Sequence, residues 1–154
     1  VVAVDVLPEK LELALALGAT RAFRADDPDI VAQLRAAIPG GVDVAIEAAS
    51  AVPALELAWQ LTRRGGTTVT CSLPNPGHRL QLPVVQMTAE ERTLKGSYLG
   101  SAVPTRDIPR YIELYKAGRL PVDRLITHRL SLDEINAGFD RLAAGDAVRQ
   151  VILF

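Results

Sequence analysis

Cysteine, histidine and aromatic side chains are scarce in this sequence. A single cysteine, Cys71, excludes an intramolecular disulfide and fits a reducing, cytoplasmic compartment. With only two histidines beside it, a closed structural zinc site of the usual kinds is excluded as well. Neither sign of charge is in excess, since 17 Lys and Arg face 18 Asp and Glu for a net charge of −1. That leaves no polyanion-binding surface and points away from nucleic acid. No apolar run reaches the roughly eighteen residues of a membrane helix, and no signal-peptide pattern stands out, so no membrane partner is expected. What is present is ordinary for a globular domain: 49% hydrophobic and 23% charged residues over a length of 154. Such a chain is long enough to bury a real core.

The apolar segments alternate in kind along the chain. Val1 to Val4 is a β-branched run of the type found in buried parallel strands. Pro8 suits the first turn of a helix and Gly18 its C′ position, with Leu11, Ala14, Leu15 and Leu17 as the apolar face between. Arg21 to Phe23 is a short strand. Asp27 as N-cap and Pro28 at N1 predict a helix to about Ile38, stopped by Pro39, Gly40 and Gly41. Val42 to Glu47 (VDVAIE) is the next strand, and Ser50 is placed as the cap of a helix reaching Leu61. Gly65 and Gly66 turn the chain into a strand over Thr67 to Cys71. A loop follows, then a short extended piece at Leu80 to Leu82, a short helix from Pro83 and a strand over Thr93 to Leu99. A helix is expected over Thr105 to Ala117, with Ile108, Tyr111, Ile112 and Tyr115 on one face. Leu125 to Leu130 is extended, and Ser131 with Glu134 has capping-box spacing ahead of a helix that Gly145 ends. Val148 to Phe154 closes the chain as a strand.

This alternation predicts an α/β fold, a Rossmann-type doubly wound parallel sheet whose strand order is 3-2-1-4-5-6. In that fold an acid at the end of the second strand lies about twenty residues after a glycine-rich phosphate loop. Asp5 is such an acid, yet only four residues precede it. If Val1 to Asp5 is the second strand and Val42 to Glu47 the fourth, the first strand and the glycine loop are missing. Each buried backbone group left without a partner costs about 1–3 kcal/mol. A whole strand of them would approach the stability of a domain, about 5–15 kcal/mol. The expectation is therefore a sheet truncated before strand 2, in the C-terminal part of a longer polypeptide. The alternative is a different α/β fold that needs no such strand.

Five stretches carry a resemblance. VAVDVLPEKLELALALGAT, GGVDVAIEAAS, RRGGTTVTCSLP, TLKGSYLGSAVPTRDIPRYIELYKAGRL and LITHRLSLDEINAGFDRLAAGDAVRQVILF stand in this order with plausible spacing. Together they resemble the medium-chain, zinc-dependent alcohol dehydrogenases, over essentially the whole chain. LKGSYLGS and LITHRLSLDEINAGFDRL are the most specific pieces, and they are similar to the class III, glutathione-dependent formaldehyde dehydrogenase branch. The resemblance implies residues 1–125 as a partial dinucleotide-binding domain and 126–154 as a segment returning to the parent's catalytic domain. It implies an NAD-dependent enzyme moving a hydride between the nicotinamide and an alcohol or aldehyde. Catalytic zinc and the proton relay would lie in an N-terminal domain outside this sequence. The fragment alone is then expected to be inactive, and no catalytic or metal-binding residue is assigned to it. A zinc-free quinone or enoyl reductase of the same superfamily, or a non-catalytic nucleotide-binding fragment, are the alternatives. The resemblance also implies a homodimer or homotetramer joined through edge strands near Gln81 and Thr93.

The candidate site residues all concern the cofactor. A carboxylate at Asp5 accepts hydrogen bonds from the adenosine ribose and repels a 2′-phosphate, which favours NAD over NADP. By resemblance Lys10 lies near the same ribose, and Arg149 reaches the pyrophosphate, a task suited to a planar, permanently charged fork. Ala48 and Ala49 follow a strand at the carboxyl edge, where small residues let a ligand approach the backbone. The resemblance places backbone groups of Cys71, Ser72 and Leu73 at the nicotinamide, and the N–H of Leu99 at its carboxamide. Cys71 is otherwise read as an inert buried thiol. His128 is read as structural and His78 as loop-exposed. Arg63-Arg64, Asp26-Asp27 and Glu90-Glu91-Arg92 are read as solvated charges.

Overall fold

In the computed structural model, which describes residues 1–154, the first apolar run forms strand β1 (Val2–Asp5) and Pro8 opens helix α1 (Pro8–Ala16). Proline fits at that position because the N–H it lacks has no helical partner there. Gly18 follows the helix with φ 107°, open to glycine at little cost. Strand β2 (Arg21–Arg24) pairs parallel with β1, from Val2 opposite Arg21 to Asp5 opposite Arg24. Next come α2 (Ile30–Ala37), β3 (Val42–Glu47), α3 (Val52–Leu61), β4 (Thr62–Thr70), α4 (Val84–Ala89) and β5 (Thr93–Gly96). Strands β3, β4 and β5 make a second parallel sheet in that order.

The chain is thus the expected parallel α/β structure of the Rossmann type. In the 3-2-1-4-5-6 order, β2 and β1 take the places of strands 3 and 2, and β3 to β5 those of strands 4 to 6. No strand of this chain stands in the first place, so β1 and β3 each pair on one side only. Burial follows from that. The run at the N-terminus does not lie in a two-sided core: Val1 and Val4 are exposed. Val44 and Ile46 share one face of β3 and are 54% and 69% exposed. Their composition reads as core, but nothing in the chain covers that face.

Two compact units divide the chain, Val1–Ala102 and Val103–Phe154. The second holds α5 (Pro104–Lys116), β6 (Ile126–Leu130), α6 (Ile135–Ala144) and β7 (Arg149–Ile152). β6 and β7 pair in parallel, so this end of the chain is a small βαβ unit. The Ser131–Glu134 signature performs as expected, with the Glu134 carboxylate accepting from both the N–H and the hydroxyl of Ser131 at 2.8 and 2.9 Å. Those bonds hold the Glu134 carboxyl below its usual pKa.

Several boundaries differ from expectation for local reasons. α2 starts at Ile30, because the Asp27 carboxylate is spent on a turn, accepting from the Asp29 N–H at 2.8 Å and from Gln33 Nε2 at 2.9 Å. Ser50 does not cap α3. Ala51 holds that place, and Ser50 has φ 57°. β4 begins directly after α3, and Gly65 and Gly66 lie within it. Its pairing steps from Thr62 to Thr67 while β3 steps only from Val42 to Val44, so the extra residues loop out as a bulge. Leu80 to Leu82 form no strand, and β5 stops at Gly96, ahead of a 3-10 turn over Tyr98–Ser101.

In the bulge the backbone itself crowds Gly66. A Cβ there would stand 2.9 Å from the Arg63 carbonyl oxygen and 3.0 Å from that of Asp43. Gly66→Ala is expected to cost about 1–3 kcal/mol of stability. A lower denaturant midpoint for the full-length polypeptide would register it, and an unchanged midpoint would show that the bulge yields freely.

The core of the first unit lies beneath α1, α2 and α3, on Leu11, Ile30, Leu34, Ala58 and Trp59. Buried Thr62 and Thr68 share a hydrogen bond of 2.7 Å, and the Thr62 hydroxyl also reaches the Ala58 carbonyl. Glu90 and Arg92 are not solvated as expected. The Arg92 side chain is only 11% exposed, pairs with Glu90, stands 5.4 Å from the Trp59 ring centre and donates to the Trp59 carbonyl oxygen. No helix is long and apolar enough to cross a membrane.

Candidate cofactor site

Parallel pairing sets where the loops of the three-stranded sheet emerge. Glu47 lies opposite Thr70, and Thr70 opposite Gly96, so β3, β4 and β5 end level with one another. Residues 48–50, 71–73 and 97–101 therefore leave the same carboxyl edge. This edge is where ligands bind in open α/β sheets. Ala48, Ala49, Cys71, Leu73 and Leu99 are exposed there, and Ser72 is half-buried.

The backbone on this edge is held in an uncommon form. Ser50 has φ 57°, and Leu99, Gly100 and Ser101 follow one another at φ 48°, 66° and 55°. A left-handed residue other than glycine costs about 1–3 kcal/mol, and such residues cluster at ligand-binding sites. Ser97 anchors the turn by donating its N–H to the Thr70 carbonyl at 2.9 Å and by a hydroxyl bond of 3.0 Å to Ser101. Leu99 was expected at the end of a strand. It sits instead in this turn, because β5 has already ended.

Glu47 organises the other two loops, and the sequence did not single it out. Its carboxylate is buried, with 5% of the residue exposed. Oε1 accepts from the N–H groups of Ala49 and Ser50 at 2.6 and 2.8 Å. Oε2 accepts from the hydroxyls of Thr70 and Ser72 at 2.6 and 2.7 Å. Burial pushes the carboxyl pKa up, but the hydroxyls of Thr70 and Ser72 and the two N–H groups outweigh it, so the net shift is downward and Glu47 stays charged. Its carbonyl oxygen also accepts from the Cys71 N–H and Sγ. The Cys71 thiol is thus exposed on this edge and is not the buried hydrophobe expected. The signal that would have found Glu47 is an acid at the last position of a strand, followed by two alanines.

Asp5 ends β1 at the carboxyl edge of the β1–β2 pair. One carboxylate oxygen accepts from the Leu7 N–H at 3.0 Å, which leaves Oδ2 without a protein partner. Lys10 is half-buried in the first turn of α1 and makes no ion pair with Asp5. Arg149 belongs to the second unit, exposed at the start of β7. His128 is half-buried and bonds Thr127 at 3.0 Å, while His78 is exposed in its loop. No three His, Cys, Asp or Glu side chains come together, so the residues present do not fit zinc.

A cavity of about 340 Å³ in the first unit is lined by Arg35, Arg63, Arg64 and Arg92 beside Gly40 and Gly41, and none of the candidate cofactor residues lines it. Most of those guanidiniums are occupied. Arg64 and Arg92 donate to the carbonyls of Ala89 and Trp59, near the ends of α4 and α3, and Arg63 pairs with Asp43. Cations suit helix C-termini, so the cluster is accounted for by the helices it closes.

A parallel sheet ending in strained, exposed loops above small residues is the architecture of a nucleotide-binding domain, and its likeness to the alcohol dehydrogenases is specific. The chain belongs to the zinc-binding dehydrogenase family, which it matches over residues 1–117. It is 37% identical to the NDMA-dependent alcohol dehydrogenase of Amycolatopsis methanolica over 99% of this chain and 42% of that protein. The crystal structure of benzyl alcohol dehydrogenase from Acinetobacter calcoaceticus superposes with a TM-score of 0.92 at 29% identity, over 98% of this chain and 41% of that one. A zinc-binding dehydrogenase from Sinorhizobium meliloti, solved bound to NADP, matches with a TM-score of 0.86 at 26% identity, over 99% of this chain and 44% of that one. The chain thus spans about two fifths of the length of its curated relatives. These relatives do not single out the glutathione-dependent formaldehyde dehydrogenase branch.

Proposed function

We propose that this chain forms part of an NAD-dependent oxidoreductase that transfers a hydride between the nicotinamide and an alcohol or aldehyde. The observation that carries this reading is the convergence of residues 48–50, 71–73 and 97–101 on one carboxyl edge, with Ser50, Leu99 and Ser101 held in strained backbone. Bound NAD supplies the hydride chemistry. The chain's own residues bind and orient. Oδ2 of Asp5 takes the ribose hydroxyls, with Lys10 beside the same ribose. Ala48 and Ala49 leave room for the cofactor to reach the backbone. Backbone groups of Cys71, Ser72, Leu73 and Leu99 meet the nicotinamide carboxamide, and Arg149 pairs with the pyrophosphate.

The relative bound to NADP keeps cofactor choice open across such folds, and the Asp5 carboxylate favours NAD here. The unpaired long edges of β1 and β3 support a further strand between them, supplied by a longer polypeptide. In this proposal that polypeptide also supplies the zinc ligands and acts in the cytoplasm. β5 has one free edge, which supports a homodimer or homotetramer joined near Gln81 and Thr93.

The test is to add NAD and a panel of primary alcohols to the full-length polypeptide and to follow reduced nicotinamide by its absorbance. Turnover with NAD and at least one alcohol is expected. Failure to bind either nicotinamide dinucleotide would refute the reading.

A further inference from the structure

We infer that Glu47 is the positioning residue for the nicotinamide end of the cofactor site. The inference rests on the cofactor reading above and adds to it a residue that touches no ligand. Two of the three loops on the carboxyl edge are referenced to this one carboxylate. Oε1 fixes the N–H groups of Ala49 and Ser50, and Oε2 fixes the hydroxyls of Thr70 and Ser72. The backbone oxygen of Glu47 takes the Cys71 N–H at 3.0 Å. Of the residues assigned to the nicotinamide, Cys71 and Ser72 are therefore bonded directly to Glu47, and so is Ala49, one of the small residues beside them on the same edge.

The chemistry explains why a carboxylate stands here. Four donors, from the loop after β3, the last residue of β4 and the loop after it, converge on one point, and an ionised carboxylate offers about four acceptor sites and no donor. Ser50 also needs an external hold, since a serine at φ 57° does not stay there on its own account. Its N–H bond to Oε1 supplies that hold. The adenosine end, at Asp5 and Lys10, is built on another pair of strands and makes no bond to Glu47. Glu47 should accordingly govern how the nicotinamide end binds and leave the adenosine end alone.

That separation gives a test which general loss of structure would not imitate. Dissociation constants of the full-length polypeptide are measured for NADH and for ADP-ribose, which lacks the nicotinamide. Glu47→Ala is expected to weaken NADH at least tenfold and ADP-ribose less than threefold. Glu47→Gln should stay within threefold of the parent for both. Its amide oxygen can still accept the two N–H bonds, and its NH₂ can donate to the two hydroxyls once they rotate. If Glu47→Ala does not fold, the Thr70→Val/Ser72→Ala pair removes only the Oε2 half, and a three- to tenfold loss confined to NADH is expected. Equal losses for both ligands, or no loss for either, would overturn the role of Glu47. A parent protein that binds neither ligand would instead overturn the cofactor reading, and the inference with it.

Discussion

Asp5→Asn in the full-length polypeptide is expected to move the ratio of NADH to NADPH affinity toward NADPH by about 10- to 100-fold. Asparagine keeps the side-chain oxygen that accepts from the Leu7 N–H, so the turn into α1 survives. What it removes is the charge on the free oxygen. Hydrogen bonds to a charged group contribute about 1.5–3 kcal/mol, and each 1.4 kcal/mol is about tenfold in affinity. NADH loses that contribution, while NADPH is relieved of repulsion between two anions. Paired fluorescence titrations with the two cofactors read the ratio directly. A parent that prefers NADPH, or a ratio that Asp5→Asn leaves unchanged, would remove Asp5 from the ribose.

Trp59→Ala is expected to have the largest effect on stability, about 3–5 kcal/mol. Trp59 is 1% exposed and sits where α3, α4 and the approach to β5 meet. Its indole N–H donates to Gln86 Oε1 at 3.0 Å, and the guanidinium of Arg92 faces its ring. Removing the ring leaves a cavity, strips Gln86 of a donor and takes the aromatic face from a largely buried cation. Trp59→Phe keeps most of the volume and loses mainly the Gln86 bond, so it should cost about 1 kcal/mol. Denaturant unfolding of the two variants separates the contributions. A loss below about 1 kcal/mol for Trp59→Ala would mean that α3 and α4 do not depend on this contact.

Much of the fold was legible because its signals are local. Pro8 and Gly18 bracket α1, VDVAIE forms β3 over the residues expected, and Ser131 with Glu134 builds its capping interaction. Each depends on residues a few positions apart. The misplaced features depend on side-chain contacts that residue spacing does not reveal, some near in sequence and some far. Whether Ser50 caps a helix is decided by Glu47 Oε1, which claims its N–H and holds it at φ 57°. Where β4 begins is decided by Thr62, whose hydroxyl reaches the Ala58 carbonyl and Thr68. The burial of Arg92 follows from Trp59, thirty-three residues away in sequence.

The candidate site was legible by position more than by chemistry. Ala48, Ala49, Cys71 and Ser72 do leave one carboxyl edge, because the end of a strand can be read from its pattern. The network that fixes them could not be read, since it forms only when Glu47 comes level with Thr70. Exposure was misjudged for a related reason. Val44, Ile46 and Cys71 have the composition of core residues, but burial depends on what packs against them, and pattern alone does not say what that is.

Backbone hydrogen exchange on the full-length polypeptide, with and without NADH, locates the cofactor on the protein. Bound cofactor should slow exchange at residues 48–50, 71–73 and 97–101 and around Asp5, and leave the arginine-lined cavity at residues 35–41 and 63–64 unchanged. Protection confined to that cavity, or none on the carboxyl edge of β3 to β5, would mean that this edge does not hold the cofactor.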